Sequence, residues 1–196
     1  MARPNRSAEK REMLLPILAE AFAGAGYSKA TTAELARRCG VQETVLYRLW
    51  PDKKAMFLAS IDHVFMRSMA IWTELLEGAS AAETGAERIL FHEAVHHGEF
   101  GLYRVLFTGL DEVDDDEVRE HLRQTYRMFQ RYVRDRIADH RATRRIRGGL
   151  SPDAVAWAIL GLGTIASIGR ELGLLTTTAR RELLAGVGRA LIEPAR

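Results

Sequence analysis

Apolar residues recur every three or four positions along most of this 196-residue chain, and no segment sustains the alternation of a half-buried strand. In the first such segment Leu14, Leu18 and Phe22 fall on one helical face. Only five prolines are present, so long helices can form. The pattern predicts an all-α fold.

Breaks in the pattern divide the chain into successive helices. They are predicted near residues 8–25, 31–39, 42–50, 52–77, 83–97, 100–110, 115–141, 151–174 and 178–192. Thr31 and Glu34 form a capping box, Asp52 can cap the fourth helix, and Pro16 should kink the first helix or delay its start. The predicted domains are residues 1–52 and 53–196.

Composition excludes several classes of protein. Hydrophobic residues make up 47% and charged residues 28%, as in ordinary globular proteins rather than disordered or fibrous ones. No apolar run has the length and purity of a membrane span, and the start of the chain does not look like a signal peptide. We expect a cytoplasmic protein that does not associate with membranes. The single Cys39 excludes an intramolecular disulfide and a multi-cysteine zinc site.

Positive charge is concentrated in the first third of the chain. Residues 1–60 contain ten Lys or Arg and six Asp or Glu, a balance of +4, whereas the remaining residues carry −2. This distribution favours a polyanionic partner for the amino-terminal part alone.

Two short helices, over residues 31–39 and 42–50, are joined by a tight turn at Gly40-Val41. Helices this short are stable only when their apolar faces pack on other elements. The predicted core consists of Leu18, Phe22, Leu35, Ala36, Val41 and Leu46. The outer face of the second short helix stays free, and a single helix fits the ~12 Å major groove of DNA.

This region resembles the amino-terminal domain of the TetR family of transcriptional regulators over about residues 10–58. The resemblance is carried by Gly26 to Thr32, then Glu34-Leu35-Ala36, Gly40-Val41, Leu46-Tyr47, Trp50 and Lys53. It implies a three-helix helix-turn-helix domain followed by a helical ligand-binding and dimerisation domain. It also implies a homodimer, without cofactor or catalytic activity, that represses from a palindromic double-stranded DNA operator until a small effector releases it.

The resemblance assigns roles on the DNA side. Thr31 or Thr32 would cap the second helix and touch phosphate, Tyr47 would bond to the DNA backbone, and Lys53 would pair with phosphate. The recognition helix would present Gln42, Glu43, Thr44 and Arg48, with Gln reading adenine and Arg reading guanine or holding phosphate. Glu43 departs from the family pattern, because a carboxylate repels phosphate unless it accepts from a cytosine amine. Trp50 is interpreted as core, and Arg3, Arg6 and Lys10 as either an arm over the DNA or a solvated tail.

The last two helices are strongly apolar and contain small residues that allow close approach. The resemblance places a four-helix dimer bundle here, and the alternative is that they form the core of the monomer. The predicted interface residues are Ile159, Leu162, Ala166, Gly169, Leu184, Val187 and Leu191.

Aromatic residues between positions 60 and 140 are candidates for an apolar or aromatic effector pocket. The selected residues are Trp72, Phe91, His92, His96, Tyr103, Phe107, Tyr126 and Phe129.

His92-Glu93-Ala94-Val95-His96 matches the H-E-x-x-H pattern of zinc proteases, so a zinc-dependent hydrolase or metal sensor is the alternative function. No clear third ligand follows, although His97, Glu99 and His121 are candidates, and we predict no metal site. The acidic run 111–117 lacks the ligand spacing of a calcium loop and is interpreted as a solvated segment that caps the next helix. A DNA-binding activator or architectural protein also remains open.

Overall fold

A computed structural model describes residues 6–77, 85–96 and 104–193, and every regular element within these ranges is helical. The first helices are α1 (Arg6–Ala25), α2 (Thr32–Arg38), α3 (Glu43–Leu49) and α4 (Lys53–Glu77). They are followed by α5 (Gly85–His96), α6 (Arg104–Leu110), α7 (Asp116–Arg144) and α8 (Pro152–Glu171). The last helix begins as α9 (Thr177–Arg181), passes through a π-helical turn (Glu182–Val187) and ends as α10 (Gly188–Ile192). The prediction of an all-α fold is confirmed.

Helix ends follow the local sequence signals. The hydroxyl of Thr31 accepts from the backbone N–H of Glu34 at 3.2 Å, and the carboxylate of Asp52 accepts from the N–H of Ala55 at 2.7 Å. Gly40 has φ +63°, a left-handed conformation that ends α2 and starts the predicted turn. Pro16 does not delay α1, which begins at Arg6, so Arg6 is part of the helix rather than of an extended arm.

The described residues divide into two compact units. The first contains residues 6–68 and 104–125, and the second contains 69–77, 85–96 and 126–193. The first unit therefore includes α6 and the start of α7 as well as the three predicted amino-terminal helices. This division differs from a simple boundary at residue 52.

The first unit is held together by a buried apolar core between α1, α2, α3 and α4. Leu18, Phe22, Leu35, Leu46 and Phe57 are completely buried. The rings of Phe22 and Phe57 meet edge to face, with 5.1 Å between their centroids. This core includes the predicted packing residues except Val41, which is half-buried, and it fixes α3, which is too short to be stable alone.

The second unit packs α5, α8 and the last helix against one another around Ala94, Ala166 and Leu184. Glycines make room for large side chains at two places. A Cβ atom on Gly188 would lie 2.7 Å from Leu90 Cδ2, so this glycine lets α10 approach α5 closely. A Cβ atom on Gly169 would lie 2.5 Å from Cδ1 of Leu175, which lies in the turn after α8.

Candidate nucleic-acid interface

The helix α3 buries one side and exposes a polar side. Leu46 and Leu49 are buried against the core, whereas Glu43, Thr44, Tyr47 and Arg48 are exposed on the opposite side. In contrast to the prediction, Gln42 precedes the helix in an extended conformation, although its side chain is also exposed. Arg48 makes no hydrogen bond or ion pair with any part of the chain that the structure describes. Its guanidinium group is free to meet a base edge or a phosphate.

Three of the predicted DNA-binding residues form one hydrogen-bonded group, which we call the Thr32 cluster: Thr32, Glu43 and Tyr47. The Thr32 hydroxyl donates to Glu43 Oε2 at 2.8 Å, and the Tyr47 hydroxyl donates to Thr32 Oγ1 at 3.3 Å. The cluster joins α2 to the recognition helix across the surface. The sequence predicts each member separately, and the structure shows that they interact.

Lys53 lies beneath this surface and binds the turn between α1 and α2. Its Nζ donates to the carbonyl oxygens of Tyr27 at 3.0 Å and Ala30 at 3.2 Å, and stands 4.3 Å from the centroid of the Tyr27 ring. These contacts give Lys53 a structural role that the sequence did not indicate. An ammonium group has three N–H donors, so one remains for the predicted phosphate contact.

The two arginines of α2 are bound by one carboxylate. Glu34 accepts from Arg37 at 2.7 Å and 2.8 Å, and from Arg38 at 2.8 Å. These hydrogen bonds lower the pKa of Glu34 to about 2. The predicted capping box is therefore only half formed, because the Glu34 side chain bonds to these arginines.

The end of the recognition helix is held by a residue that the sequence pattern did not reveal. Arg11 donates through Nε to the carbonyl oxygen of Leu49 at 2.8 Å, and through Nη2 to the same oxygen. Its guanidinium carbon lies 6.0 Å from the centroid of the ring of Trp50, which is buried as predicted. No local pattern links residues so far apart in sequence, so only the fold could identify this contact.

The acidic segment 111–117 is bound to the other helices of the first unit. Ser28 donates to Glu112 at 2.9 Å, and Lys54 Nζ lies 2.9 Å from Asp115 and 2.7 Å from Glu117. These hydrogen bonds raise the pKa of Lys54, while the bond from Lys54 lowers the pKa of Asp115. Asp115 also caps α7, as predicted, but the segment is not simply solvated.

Large apolar side chains form an exposed row along α8, here called the α8 stripe: Trp157, Ile165, Ile168 and Leu172. Their exposed fractions run from 37% at Ile168 to 67% at Leu172. With the exposed Gly161 and Thr164 they follow the spacing of one helical face. The residues predicted for the dimer interface lie elsewhere.

Ala166, Gly169 and Leu184 are buried by their own chain, and Leu162 packs against the core cluster, so we withdraw them as interface residues. Ile159 and Leu191 are half-buried, and of the predicted set Val187 is exposed, at 43%.

By length and composition alone α8 could cross a bilayer, and it is the one such helix among the described residues. A single helix of this kind is weak evidence, because helices of globular proteins meet the same criterion.

Part of the predicted effector site is brought together in the second unit. The buried Trp72 ring lies 4.8 Å from Phe129 and 5.9 Å from Tyr132, measured between centroids. Its indole N–H donates to Glu93 at 2.8 Å. We call Trp72, Phe129, Tyr132 and Glu93 the aromatic cluster. It combines packed apolar rings with one fixed polar contact.

The other predicted pocket residues are placed differently. Phe91 is 66% exposed on α5 and does not belong to the aromatic cluster. Phe107 belongs to α6 in the first unit, and Tyr103 lies outside the described residues. Tyr126 is half-buried on α7, and burial raises the pKa of its hydroxyl.

The H-E-x-x-H pattern lies on α5 with the His92 and His96 rings 4.7 Å apart. The residues that the structure describes contain no group of three or more His, Cys, Asp or Glu suited to a metal ion. Glu93 is engaged with Trp72, and His121 bonds to Asp62 at 2.8 Å, which raises the pKa of His121. His97 and Glu99 lie outside the described residues. The zinc alternative is not favoured.

Comparison with known proteins supports the same interpretation. Residues 18–60 match the model of "Bacterial regulatory proteins, tetR family". The nucleoid occlusion factor SlmA of Vibrio campbellii is 28% identical over 152 residues, which are 75% of this chain and 74% of that protein.

Solved structures match the fold over most of both chains. A TetR-family regulator from Rhodococcus sp. superposes with a TM-score of 0.81 at 22% identity, covering 95% of this chain and 100% of the other. AibR, solved with isovaleryl coenzyme A and operator DNA, gives a TM-score of 0.65 at 12% identity, covering 95% and 100%.

Residues 18–60 form a helix-turn-helix domain that matches the tetR family of bacterial regulatory proteins, and the chain shares the helical fold of solved TetR-family regulators.

Proposed function

We propose that the protein is a homodimeric, cytoplasmic repressor that binds a palindromic operator and is released by a small apolar or aromatic effector. The observation that carries this proposal is the polar, exposed side of α3 on a fully buried core. A short helix fixed in this way can enter the major groove without a change in its backbone. The proposed domains are a DNA-binding part, residues 1–52, and an effector-binding and dimerisation part, residues 53–196.

The proposed contacts divide into base reading and backbone positioning. Arg48 and Gln42 are exposed at the two ends of the recognition surface, where Arg pairs well with guanine and Gln with adenine. Thr44 lies between them. Thr31, Thr32, Tyr47 and Lys53 would face the DNA backbone once the hydrogen bonds of the Thr32 cluster rearrange.

Selection of bound fragments from genomic DNA tests this function. We expect the protein to enrich a palindrome at moderate salt, and enrichment of no common sequence would contradict the proposal.

Replacing Arg48 with Ala should change the preferred sequence, because the free guanidinium group is the best candidate for base reading. We expect operator affinity to fall by about 1–3 kcal/mol, with relaxed preference at one position of each half-site. Binding to matched operator variants measures both effects. Lys29→Ala is the control, because Lys29 is exposed in the turn before α2 and lies outside the recognition helix. Equal losses on every sequence for Arg48→Ala would contradict the reading role.

Homodimerisation is proposed through the α8 stripe. Apolar side chains of this size are rarely exposed in a continuous row on a monomer unless the surface has a partner. A palindromic operator requires a two-fold axis, and a second copy of the stripe provides one.

The aromatic cluster is the proposed effector site. Burial leaves two of its neighbouring polar atoms, Tyr132 Oη and Arg136 Nε, without a hydrogen-bond partner among the described residues. Buried donors of this kind are costly, and a ligand oxygen would satisfy them. We therefore propose an apolar or aromatic effector that carries a carboxylate or carbonyl group. AibR, a protein of the same fold, was solved with isovaleryl coenzyme A, whose acyl group is apolar and ends in a thioester carbonyl on a polar carrier.

Tyr132→Phe should weaken the response to such a molecule without affecting the DNA contacts. We expect release of operator DNA by a panel of aromatic and medium-chain carboxylic acids to need at least about fivefold more acid in the variant, the loss of one hydrogen bond. Fluorescence anisotropy of labelled operator measures release. Arg131→Ala, at an exposed position of α7, is the control. If every acid that releases the wild type from DNA releases Tyr132→Phe equally well, the Tyr132 hydroxyl does not bind the effector.

A second candidate comes from the sequence relatives, which are named nucleoid occlusion factors and match 75% of this chain. A protein with that role would bind many chromosomal sites without controlling a neighbouring gene. The same selection distinguishes the two, because a repressor is expected to occupy few sites that lie next to genes.

A further inference from the structure

We propose that Glu43 is a selectivity residue that competes with DNA phosphate for the Thr32 hydroxyl and so lowers the affinity of the protein for noncognate DNA. This inference rests on the proposed function, because it concerns which DNA the recognition surface accepts.

The hydrogen bonds of the Thr32 cluster leave no proton for phosphate. A hydroxyl group has one hydrogen, and the hydrogen of Thr32 is donated to Glu43 while that of Tyr47 is donated to Thr32. Neither hydroxyl can donate to a phosphate oxygen until its present bond is broken. Glu43 and Tyr47 are exposed, whereas Thr32 between them is half-buried.

Phosphate and carboxylate compete for the same donor. Both are anionic acceptors, so a phosphate that approaches Thr32 meets a negative charge and must displace it. The residues assigned to backbone contact therefore become available only when the Glu43 side chain moves away. This requirement applies to every DNA sequence.

The operator can offset the free energy that is lost when Glu43 leaves the Thr32 hydroxyl, whereas sequences without a suitable donor base cannot. A carboxylate displaced from Thr32 on a helix in the major groove can accept from the exocyclic amine of cytosine. A site with cytosine opposite Glu43 would give the carboxylate a new partner, and adenine could do so through its N6 amine, whereas guanine and thymine present no major-groove donor and would leave it without one. Glu43 thereby increases the ratio of operator affinity to noncognate affinity.

Glu43→Gln tests the proposal in the full-length protein. We expect the affinity for a scrambled duplex to rise about fivefold, because one unit of repulsion is removed. The ratio of operator to scrambled affinity should fall about tenfold, and fragments selected by the variant should lose a cytosine preference at one position of each half-site. Glu20→Gln, the same change at an exposed position of α1, should leave the ratio unchanged.

A ratio that stays within twofold of the wild type, or that falls equally in Glu20→Gln, would overturn the proposal. The competition for the Thr32 hydroxyl is tested in a Thr32→Val background, which has no such hydroxyl. There Glu43→Gln should raise noncognate affinity by less than half as much as it does when Thr32 is present. Equal increases in both backgrounds would overturn that competition. If the wild type selects no sequence at all, the proposed operator function fails, and binding of Glu43→Gln to random duplex still tests the competition with phosphate.

Discussion

Replacing Ile165 with Glu should convert the proposed dimer into monomers and reduce operator affinity at least about a hundredfold. Ile165 is 54% exposed in the middle of the α8 stripe, so the chain itself gives no reason for the substitution to unfold it. In a symmetric dimer each copy would face the stripe of the other, and two buried carboxylates would meet in an apolar interface. Loss of the dimer removes the gain from binding two half-sites together, which is worth about 10²–10⁴ in affinity.

Light scattering and DNA binding together test this prediction. The mass in solution should fall from twice that of the 22.0 kDa chain to the mass of one chain. Phe91→Glu provides the control, because Phe91 is an exposed aromatic residue on a different helix of the same unit. An Ile165→Glu protein that remains dimeric and binds the operator normally would show that dimerisation uses another surface.

Replacing Arg141 with Met should destabilise the protein by about 3–5 kcal/mol, the largest effect on stability that we expect from one polar residue. Arg141 is buried, and its guanidinium group donates to three backbone carbonyl oxygens. Nε bonds to Ile192 at 3.2 Å, Nη2 bonds to Leu191 at 3.0 Å, and Nη1 bonds to Leu150. Two of these carbonyls belong to the end of α10, where the helix itself supplies no donors. Methionine would fill much of the space and leave all three oxygens unsatisfied.

Urea unfolding at a fixed protein concentration measures this effect, since dimerisation makes apparent stability depend on concentration. Arg131→Met is the matched control, because Arg131 lies on the same helix, is exposed, and makes no hydrogen bond or ion pair within the described ranges. It should change stability by no more than about 0.5 kcal/mol. An Arg141→Met midpoint equal to that of the control would show that water or the relaxed chain satisfies the three carbonyls.

The sequence predicted the helices well because their limits depend on local chemistry. Thr31, Asp52 and Gly40 define helix ends through bonds or conformations that involve only a few neighbouring residues. The core of the first unit was also predictable, because each of its short helices has a single apolar side. The family resemblance then identified the exposed side of α3.

The side of α8 that faces outward could not be predicted in the same way. This helix is apolar on nearly all sides, so periodicity does not distinguish a face covered by the chain from a face left open. Small residues such as Ala166 and Gly169 were assigned to the interface because they permit close approach. The structure uses that close approach inside the chain and leaves the larger Ile165 and Leu172 exposed.

Polar contacts between residues far apart in the sequence could not be predicted either. Glu43 with Thr32, Arg11 with Leu49, and Lys54 with Asp115 join positions whose proximity depends on the packed fold. The acidic segment illustrates the difference. Its role as a helix cap follows from a few residues, whereas its bonds to Ser28 and Lys54 span 84 and 61 positions.

The paired arginines of α2 affect how the positive charge of the amino-terminal third should be counted. Glu34, with its pKa near 2, remains ionised at any physiological pH and holds Arg37 and Arg38 together. The single charge of Glu34 offsets one of these two positive charges, so the pair behaves as about one free cation toward phosphate and the counterions condensed on DNA. The number of ions released on binding should therefore reflect groups such as Arg48 and Lys53, rather than all ten basic residues of the first sixty.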